Sequence, residues 1–305
     1  MPDEILPAPS SPVQTSSSQP SPAQPSPAQL RRIALTAAEE AGVVLAEAFR
    51  SGMEVSTKAN AHDLVTLHDT ATEERLIAAL TSAVPDSRIT GEEGGSQGEG
   101  ALEWIIDPID GTSNFAHGFA MFSISIAAAV EDEVVAGVVH DPVNRLTFSA
   151  DDAGAHLRQG DGPEQPLRPA PTALPEEHLN LVTSFPSAEM LQARGPAALE
   201  QFGEFVTTYS TVRRLISGAL ELCHAAAGWA DVVGGGSTSP WDVAAGQLIL
   251  RRAGGRYLPF GSRGGRSWDG TETADAHLAP GYVGLAPGAD APTAVRAFAE
   301  FARGE

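Results

Sequence analysis

Trp104, Ile105 and Ile106 form an apolar run that breaks at Asp107, Pro108, Ile109, Asp110, Gly111 and Thr112, and this change constrains the fold more than any other stretch. Three consecutive apolar residues suit a buried strand, and Pro108 with Gly111 stops that strand and turns the backbone. Two carboxylates therefore stand together at a strand end. Like charges held that close resist joint ionisation, and hard oxygen ligands favour Mg²⁺ or Ca²⁺ over zinc. A solvated Asp-Pro turn that binds nothing is the alternative reading of these residues taken alone.

Three other segments bear on that choice. Residues 91–94, Gly-Glu-Glu-Gly, place Glu92 and Glu93 after a second short strand-like run at 87–90. Residues 239–250 begin Ser-Pro-Trp-Asp, where Pro240 suits a helix start and Asp242 falls in the first turn. An aspartate there complements the helix dipole whether or not it binds a metal. Residues 58–69, from Lys58 to Asp69, lead into a helical pattern over 71–80.

Read in order, the blocks are Lys-x4-Asp-Leu-Val-Thr-x2-Asp at 58–69, Gly-Glu-Glu at 91–93, Trp-Ile-Ile-Asp-Pro-Ile-Asp-Gly-Thr-x-Asn-Phe at 104–115, and Trp-Asp-x-Ala-x-Gly at 241–246. With these four blocks the chain resembles the inositol monophosphatase family, over about residues 30–300. The resemblance implies a mixed α/β (α+β) chain with the layered αβαβα sugar-phosphatase fold, Mg²⁺ as cofactor, inhibition by Li⁺ and association as a homodimer.

It also implies a site, residue by residue. Glu92, Asp107 and the carbonyl of Ile109 would ligate one Mg²⁺, and Asp107, Asp110 and Asp242 a second, with Glu92 helping to hold a weaker third. Ions of this kind about 3.5–4 Å apart can hold a phosphate between them. Thr112 and Asp69, with Glu92, make up the catalytic set that orients the attacking water. The amides of Gly111 and Thr112 would cradle phosphate oxygens, and Asp110, Ser217, Gly218 and Asp242 complete the substrate site. Lys58 lies near the metals in the family pattern and reads equally well as a solvated residue before a helix, so it stays outside the catalytic set.

Two departures affect the alcohol side. Ile216 stands where the family pattern Gly-Ser-Ala-Ala-Leu-Asp-Leu-Cys begins with glycine, and Gly234, Gly235 and Gly236 fall where inositol-specific members carry a glutamate. The expected activity is Mg²⁺-dependent hydrolysis of inositol monophosphate or a related polyol or sugar phosphate, with broadened selectivity because a carboxylate that pairs with substrate hydroxyls is missing. Histidinol-phosphatase and 3′(2′),5′-bisphosphate nucleotidase are the alternatives within the superfamily. A non-catalytic metal- or phosphate-binding regulator is the alternative of another class. A two-carboxylate glycosidase suits the clustered Asp107 and Asp110 less well than metals do.

Composition adds exclusions. With 305 residues and 42% hydrophobic content the chain can bury a sizeable core. One cysteine, Cys223, allows no internal disulfide framework, and no apolar run approaches the roughly 18 residues of a membrane span, so a cytoplasmic protein without membrane contact is expected. A net charge of −20 argues against a nucleic-acid surface, which needs basic patches. The eight histidines make no His-Glu-x-x-His pair, and the glycines make no nucleotide-binding loop. Residues 1–29 hold eight prolines and seven serines without lysine or arginine, which predicts a disordered tail before a catalytic domain over 30–305. Strands are expected at 105–107, 122–130, 134–140, 145–150, 179–183 and 231–233, and helices at 71–80, 217–228, 242–253 and 292–303. Residues 160–175 and 261–270 read as surface loops.

Overall fold

The computed structural model describes residues 24–49, 55–57 and 64–303. Of the tail expected over 1–29, residues 1–23 lie outside the described residues, as does Lys58, whereas Pro27 to Gln29 belong to a helix. Helix α1, Pro27–Ala48, starts three residues before Leu30: Ser26 closes its N-terminus by donating its N–H to Gln29 Oε1 at 2.8 Å, and Pro27 occupies the first turn. Its buried face repeats at helical spacing through Leu30, Ala34, Ala37, Ala41 and Leu45, while Val44 faces solvent.

In chain order the elements continue with β1 Val55–Thr57, β2 Leu64–Thr66, α2 Leu67–Ala83, β3 Ser87–Gly91, β4 Gly95–Gln97, β5 Leu102–Asp110, α3 Thr112–Ala116, β6 Ser123–Val130, β7 Glu133–Asp141, β8 Leu146–Asp151, β9 Gly154–Gln159 and β10 Gln165–Pro166. The second half holds β11 Asn180–Thr183, α4 Ala188–Arg194, α5 Pro196–Thr208, β12 Thr211–Arg213, α6 Gly218–Ala226, β13 Val232–Gly236, α7 Pro240–Arg252, β14 Arg256–Arg263, β15 Arg266–Asp269, β16 Gly281–Leu285 and α8 Pro292–Arg303. Strands β10-β9-β8-β7-β6-β5-β3-β4 form one sheet and β12-β11-β13-β16-β14-β15 a second; β1 and β2 pair separately.

Five layers follow from which side chains each strand turns to which side. In β5 and β6, Trp104, Ile106, Ile124, Ile126 and Ala128 pack under α1 and α2, whereas Ile105, Ala127 and Ala129 face α6 and α7 on the other side. That is period-two alternation with both faces buried. Helix α7 lies between the sheets, and all eight residues from Val243 to Leu250 are buried, as a helix covered on every side requires. Gly137 lets it seat closely, since a Cβ there would lie 3.0 Å from Ala245 Cα. Helices α5 and α8 cover the outer face of the second sheet around Phe205, Phe298 and Val283.

The expected αβαβα layering is therefore present. The glycine-rich stretch 261–270 is not a loop: it folds as the β14–β15 hairpin, with Gly264 and Gly265, both at positive φ, making its turn. Glycines in a hairpin tip and in a loop look alike in sequence. Cys223 is buried in the middle layer, and burial pushes its thiol pKa well up. Among the described residues no helix is long and apolar enough to cross a membrane.

Candidate active site

The end of β5 carries the two aspartates. In a regular strand Asp107 and Asp110 would face opposite sides, but the pairing with β6 shifts here: Asp107 lies opposite Ser125 and Asp110 opposite Ser123. Three steps on β5 match two on β6, a bulge of one extra residue that brings both carboxylates onto the same face. Pro108, with no N–H to give a ladder, sits inside the bulge. The Ile109 amide donates to Asp107 Oδ1 at 3.0 Å, and its side chain is buried among the outer helices, so only its main chain belongs to the site.

Glu92 arrives from the neighbouring strand. Strand β3 runs parallel to β5 with Gly91 beside Ile106, so the next residue emerges beside Asp107. Its loop is held by Glu73 of α2, a buried carboxylate that accepts the amides of Glu93 at 2.9 Å and Gly94 at 2.6 Å. A side chain at Gly91 would collide with that carboxylate, 2.6 Å from Oε2. Glu73 was not among the residues picked out from the sequence. Its signal would have been a glutamate on the apolar face of α2.

Asp110 is the anchor of α6. It accepts from Ser217 Oγ at 2.6 Å, from the Gly218 and Ala219 amides at 3.0 Å each, and from Ser123 Oγ at 3.3 Å. The Gly218 and Ala219 donors are otherwise orphaned N-terminal amides of a helix, which favour negative charge. Asp242, half-buried in the first turn of α7, accepts from the Ser239 amide at 2.7 Å, so it does complement a helix start as well as facing the site. The Thr112 hydroxyl lies 3.0 Å from both Asp69 Oδ1 and the Ile109 carbonyl, and Asp69 is fully buried at the start of α2.

These parts meet. A cavity of about 260 Å³ is lined by Glu92, Asp107, Ile109, Asp110, Gly111, Thr112, Ser217, Gly218 and Asp242, together with Ser113, Ser184, Ile216, Thr238 and Tyr282. Burial, and then the charges of Glu92, Asp110, Asp242 and Asp69, hold the Asp107 pKa well above the usual carboxylate range. Burial likewise lifts Asp110, against the bonds from Ser217, Ala219 and Gly218, and pushes Asp242 up to about 7. Carboxylates that resist ionising together, offering only oxygen donors, fit a hard divalent cation. Among the described residues no three acidic, histidine or cysteine side chains already close round one point. The carboxylates share the cavity while Asp107, Asp110 and Asp242 each turn an oxygen to a protein donor.

Residues 26–287 match the inositol monophosphatase family. The chain belongs to that family. It is 34% identical over 241 residues to the Nus factor SuhB of Pasteurella multocida, covering 77% of this chain and 86% of that one. It is 35% identical over 285 residues to the inositol-1-monophosphatase of Mycobacterium leprae, covering 85% and 96%. The solved structure of a Thermotoga maritima IMPase superposes with a TM-score of 0.72 at 27% identity, covering 88% of this chain and 96% of that one. Inositol monophosphatase family members are phosphatases of a metal-dependent, generally Mg²⁺-using superfamily.

Against that family background the alcohol side needs correction. Gly234, Gly235 and Gly236 do not line the cavity. They are the core of β13, and a Cβ on them would meet Phe298 at 2.5 Å, Tyr282 at 2.8 Å and Met190 at 2.6 Å. Packing, not substrate, accounts for those glycines. The wall is made instead by Ser184, Ile216, Thr238 and Tyr282, three of which were missed because they follow β11, precede α7 and lie in β16, far apart in sequence. Asp69 does not line the cavity and reaches it through Thr112. Gly111, at φ 97, would bring a Cβ to 2.9 Å from the Met121 carbonyl, so glycine is required at the turn.

Proposed function

We propose that this chain is a Mg²⁺-dependent phosphomonoesterase that hydrolyses inositol monophosphate or a related polyol or sugar phosphate by attack of water on phosphorus. The observation that carries the reading is the meeting of Glu92, Asp107, Asp110, Thr112 and Asp242 in one cavity, where burial and the neighbouring carboxylates raise the Asp107 pKa. Glu92, Asp107 and the Ile109 carbonyl would hold one ion, and Asp107, Asp110 and Asp242 another. When bound, Mg²⁺ supplies positive charge opposite the phosphate oxygens and the departing alkoxide.

The chain's own groups do the positioning. Asp69 Oδ1 can take the Thr112 hydroxyl proton in a hydrogen bond at 3.0 Å, which leaves an oxygen lone pair on Thr112 to accept from water and fix its orientation. Glu92, which lines the same cavity, would be the carboxylate that shares that water's proton. The left-handed turn at Gly111 aims the amides of Gly111 and Thr112, assigned to phosphate oxygens.

The relatives named Nus factor SuhB support a second reading, in which the fold serves a macromolecular partner in place of hydrolysing a phosphomonoester. Phosphate release measured across inositol 1-phosphate, glycerol 2-phosphate, histidinol phosphate and adenosine 3′,5′-bisphosphate, with and without Mg²⁺, separates the two. Release that requires Mg²⁺ is expected. No release from any ester would leave only the partner-binding reading.

A further inference from the structure

Ile216 has a backbone conformation that its residue type disfavours. Its φ is +58°, in the left-handed region where a β-branched side chain crowds its own carbonyl. The conformation is held from three sides. The Ile216 amide donates to Glu221 Oε1 at 3.1 Å, Asn114 Nδ2 donates to the Leu215 carbonyl at 2.6 Å, and the next residue, Ser217, is tied by its hydroxyl to Asp110. Strain of this kind persists where the surroundings over-determine it, and it collects at functional sites.

The side chain does not compensate by packing in the core. It is 46% exposed and lines the cavity, whose other lining residues are polar or show little apolar surface: the Ile109 side chain is fully buried and Tyr282 is 1% exposed. The main chain at 216 has no donor left for a ligand, because its N–H is already committed to Glu221. The Ile216 carbonyl faces the turn, 3.5 Å from Asn114 Nδ2 and 3.2 Å from where a Cβ on Gly111 would lie, so what residue 216 offers an approaching alcohol is its hydrocarbon side chain, which makes no hydrogen bond.

We infer that Ile216 determines alcohol specificity in the phosphatase proposed above, selecting phosphomonoesters whose alcohol turns a carbon face, such as an aryl ring or a deoxygenated carbon, toward it. The inference rests on the phosphatase reading. A hydroxyl directed at Ile216 leaves water without gaining a partner, whereas a carbon face covers apolar surface that is otherwise wet. The ions that the acidic floor would hold, with the Gly111 and Thr112 amides, would grip phosphate whatever alcohol is attached, so the discrimination lies at this wall.

The test compares kcat/KM for phenyl phosphate and inositol 1-phosphate, with Mg²⁺, in the wild type and in Ile216→Gly, Ile216→Asn and Ile216→Leu. Because the ratio is compared between variants, the better leaving group of phenol cancels. Glycine and asparagine tolerate the left-handed region, so both variants should fold, with melting temperatures at or above that of the wild type. Each should shift the ratio toward inositol 1-phosphate by about tenfold, chiefly through KM, while Ile216→Leu keeps the wild-type ratio. An active wild type with a ratio that moves less than about threefold in both Gly and Asn variants overturns the inference alone. A wild type that releases no phosphate from either ester overturns the phosphatase reading and takes the inference with it.

Discussion

Asp107 and Asp110 reach the cavity floor from one bulge of β5, whereas the wall above them is drawn from the ends of β11 and β13, the turn before α6, and β16. The floor is local. A strand end, a proline and a glycine fix where its carboxylates go, and neighbouring helix starts then hold them. The wall is assembled only when two sheets and the middle helices have packed, and its residues are ordinary serine, threonine, isoleucine and tyrosine. On the phosphatase reading proposed above, grip on phosphate and choice of alcohol would be encoded at different levels, and substitutions should divide along the same line.

The largest effect is expected at the floor. Asp107→Asn keeps the volume and the oxygen that accepts the Ile109 amide but removes a charge shared by both assigned ions. Mg²⁺-dependent phosphate release should fall by about a thousandfold or more, equivalent to roughly 4 kcal/mol. Circular dichroism should report a folded protein, and in chelator its melting temperature should rise as repulsion from Glu92, Asp110 and Asp242 is relieved. Full turnover by this variant would break the division.

How much could be read beforehand follows from the same contrast. Asp107, Asp110, Gly111 and Thr112 were legible because the chemistry, the strand stop and the turn occupy nine consecutive residues, 104–112. Glu92 and Asp242 were legible as residues, but their approach needs the parallel pairing of β3 with β5 and the placement of α7 between sheets. Gly234 to Gly236 misled because a glycine that yields space to Phe298 has the same letter as one that yields it to a ligand. Helices α4 and α5 and the strands β14 to β16 were absent from the sequence reading, their short apolar runs being compatible with either state.

Glu221 tests the wall through stability. It is buried in α6, its Oε1 holds the Ile216 amide, and burial with the charge of Asp110 pushes its pKa from an ordinary 4.5 up to about 8. A folded-state value above the unfolded one means that the associated stability is full below about pH 4.5 and is lost as pH rises through about 8. Glu221→Gln keeps the acceptor and cannot ionise. In chelator it should be more stable than the wild type by on the order of 3 kcal/mol at pH 8.5, with the difference gone at pH 5, in urea unfolding. Asp242, raised to about 7, leaves part of the slope in the variant. His140 and His277 act in the opposite sense: burial lowers each to about 4, so their contribution is lost as pH falls from 6.5 through 4, and the acid limb should be the same in both proteins. Parallel curves at every pH would show that Glu221 carries no buried charge.

Thr112→Val sharpens the comparison from the floor side. It removes the hydroxyl bonded to Asp69 while preserving shape, so kcat should drop about a hundredfold with KM little changed, the signature of a group that positions water and not substrate. A loss confined to KM would move Thr112 to the binding wall.

The smallest effect is expected at Thr238, which lines the cavity yet bonds away from it. Its amide donates to the Pro280 carbonyl at 2.9 Å and its hydroxyl reaches the same oxygen at 3.4 Å. Thr238→Val loses only that long second bond, whose neutral donor contributes about 1 kcal/mol at most, and the amide still holds the loop against Pro280. kcat/KM for glycerol 2-phosphate, an alcohol too small to depend on the upper wall, should therefore change less than about threefold, which is roughly 0.7 kcal/mol. A larger effect confined to inositol 1-phosphate would belong to selectivity at the wall. A hundredfold loss with both esters would mean that a residue contributed by the second sheet takes part in gripping phosphate, and the separation between a local floor and an assembled wall would fail.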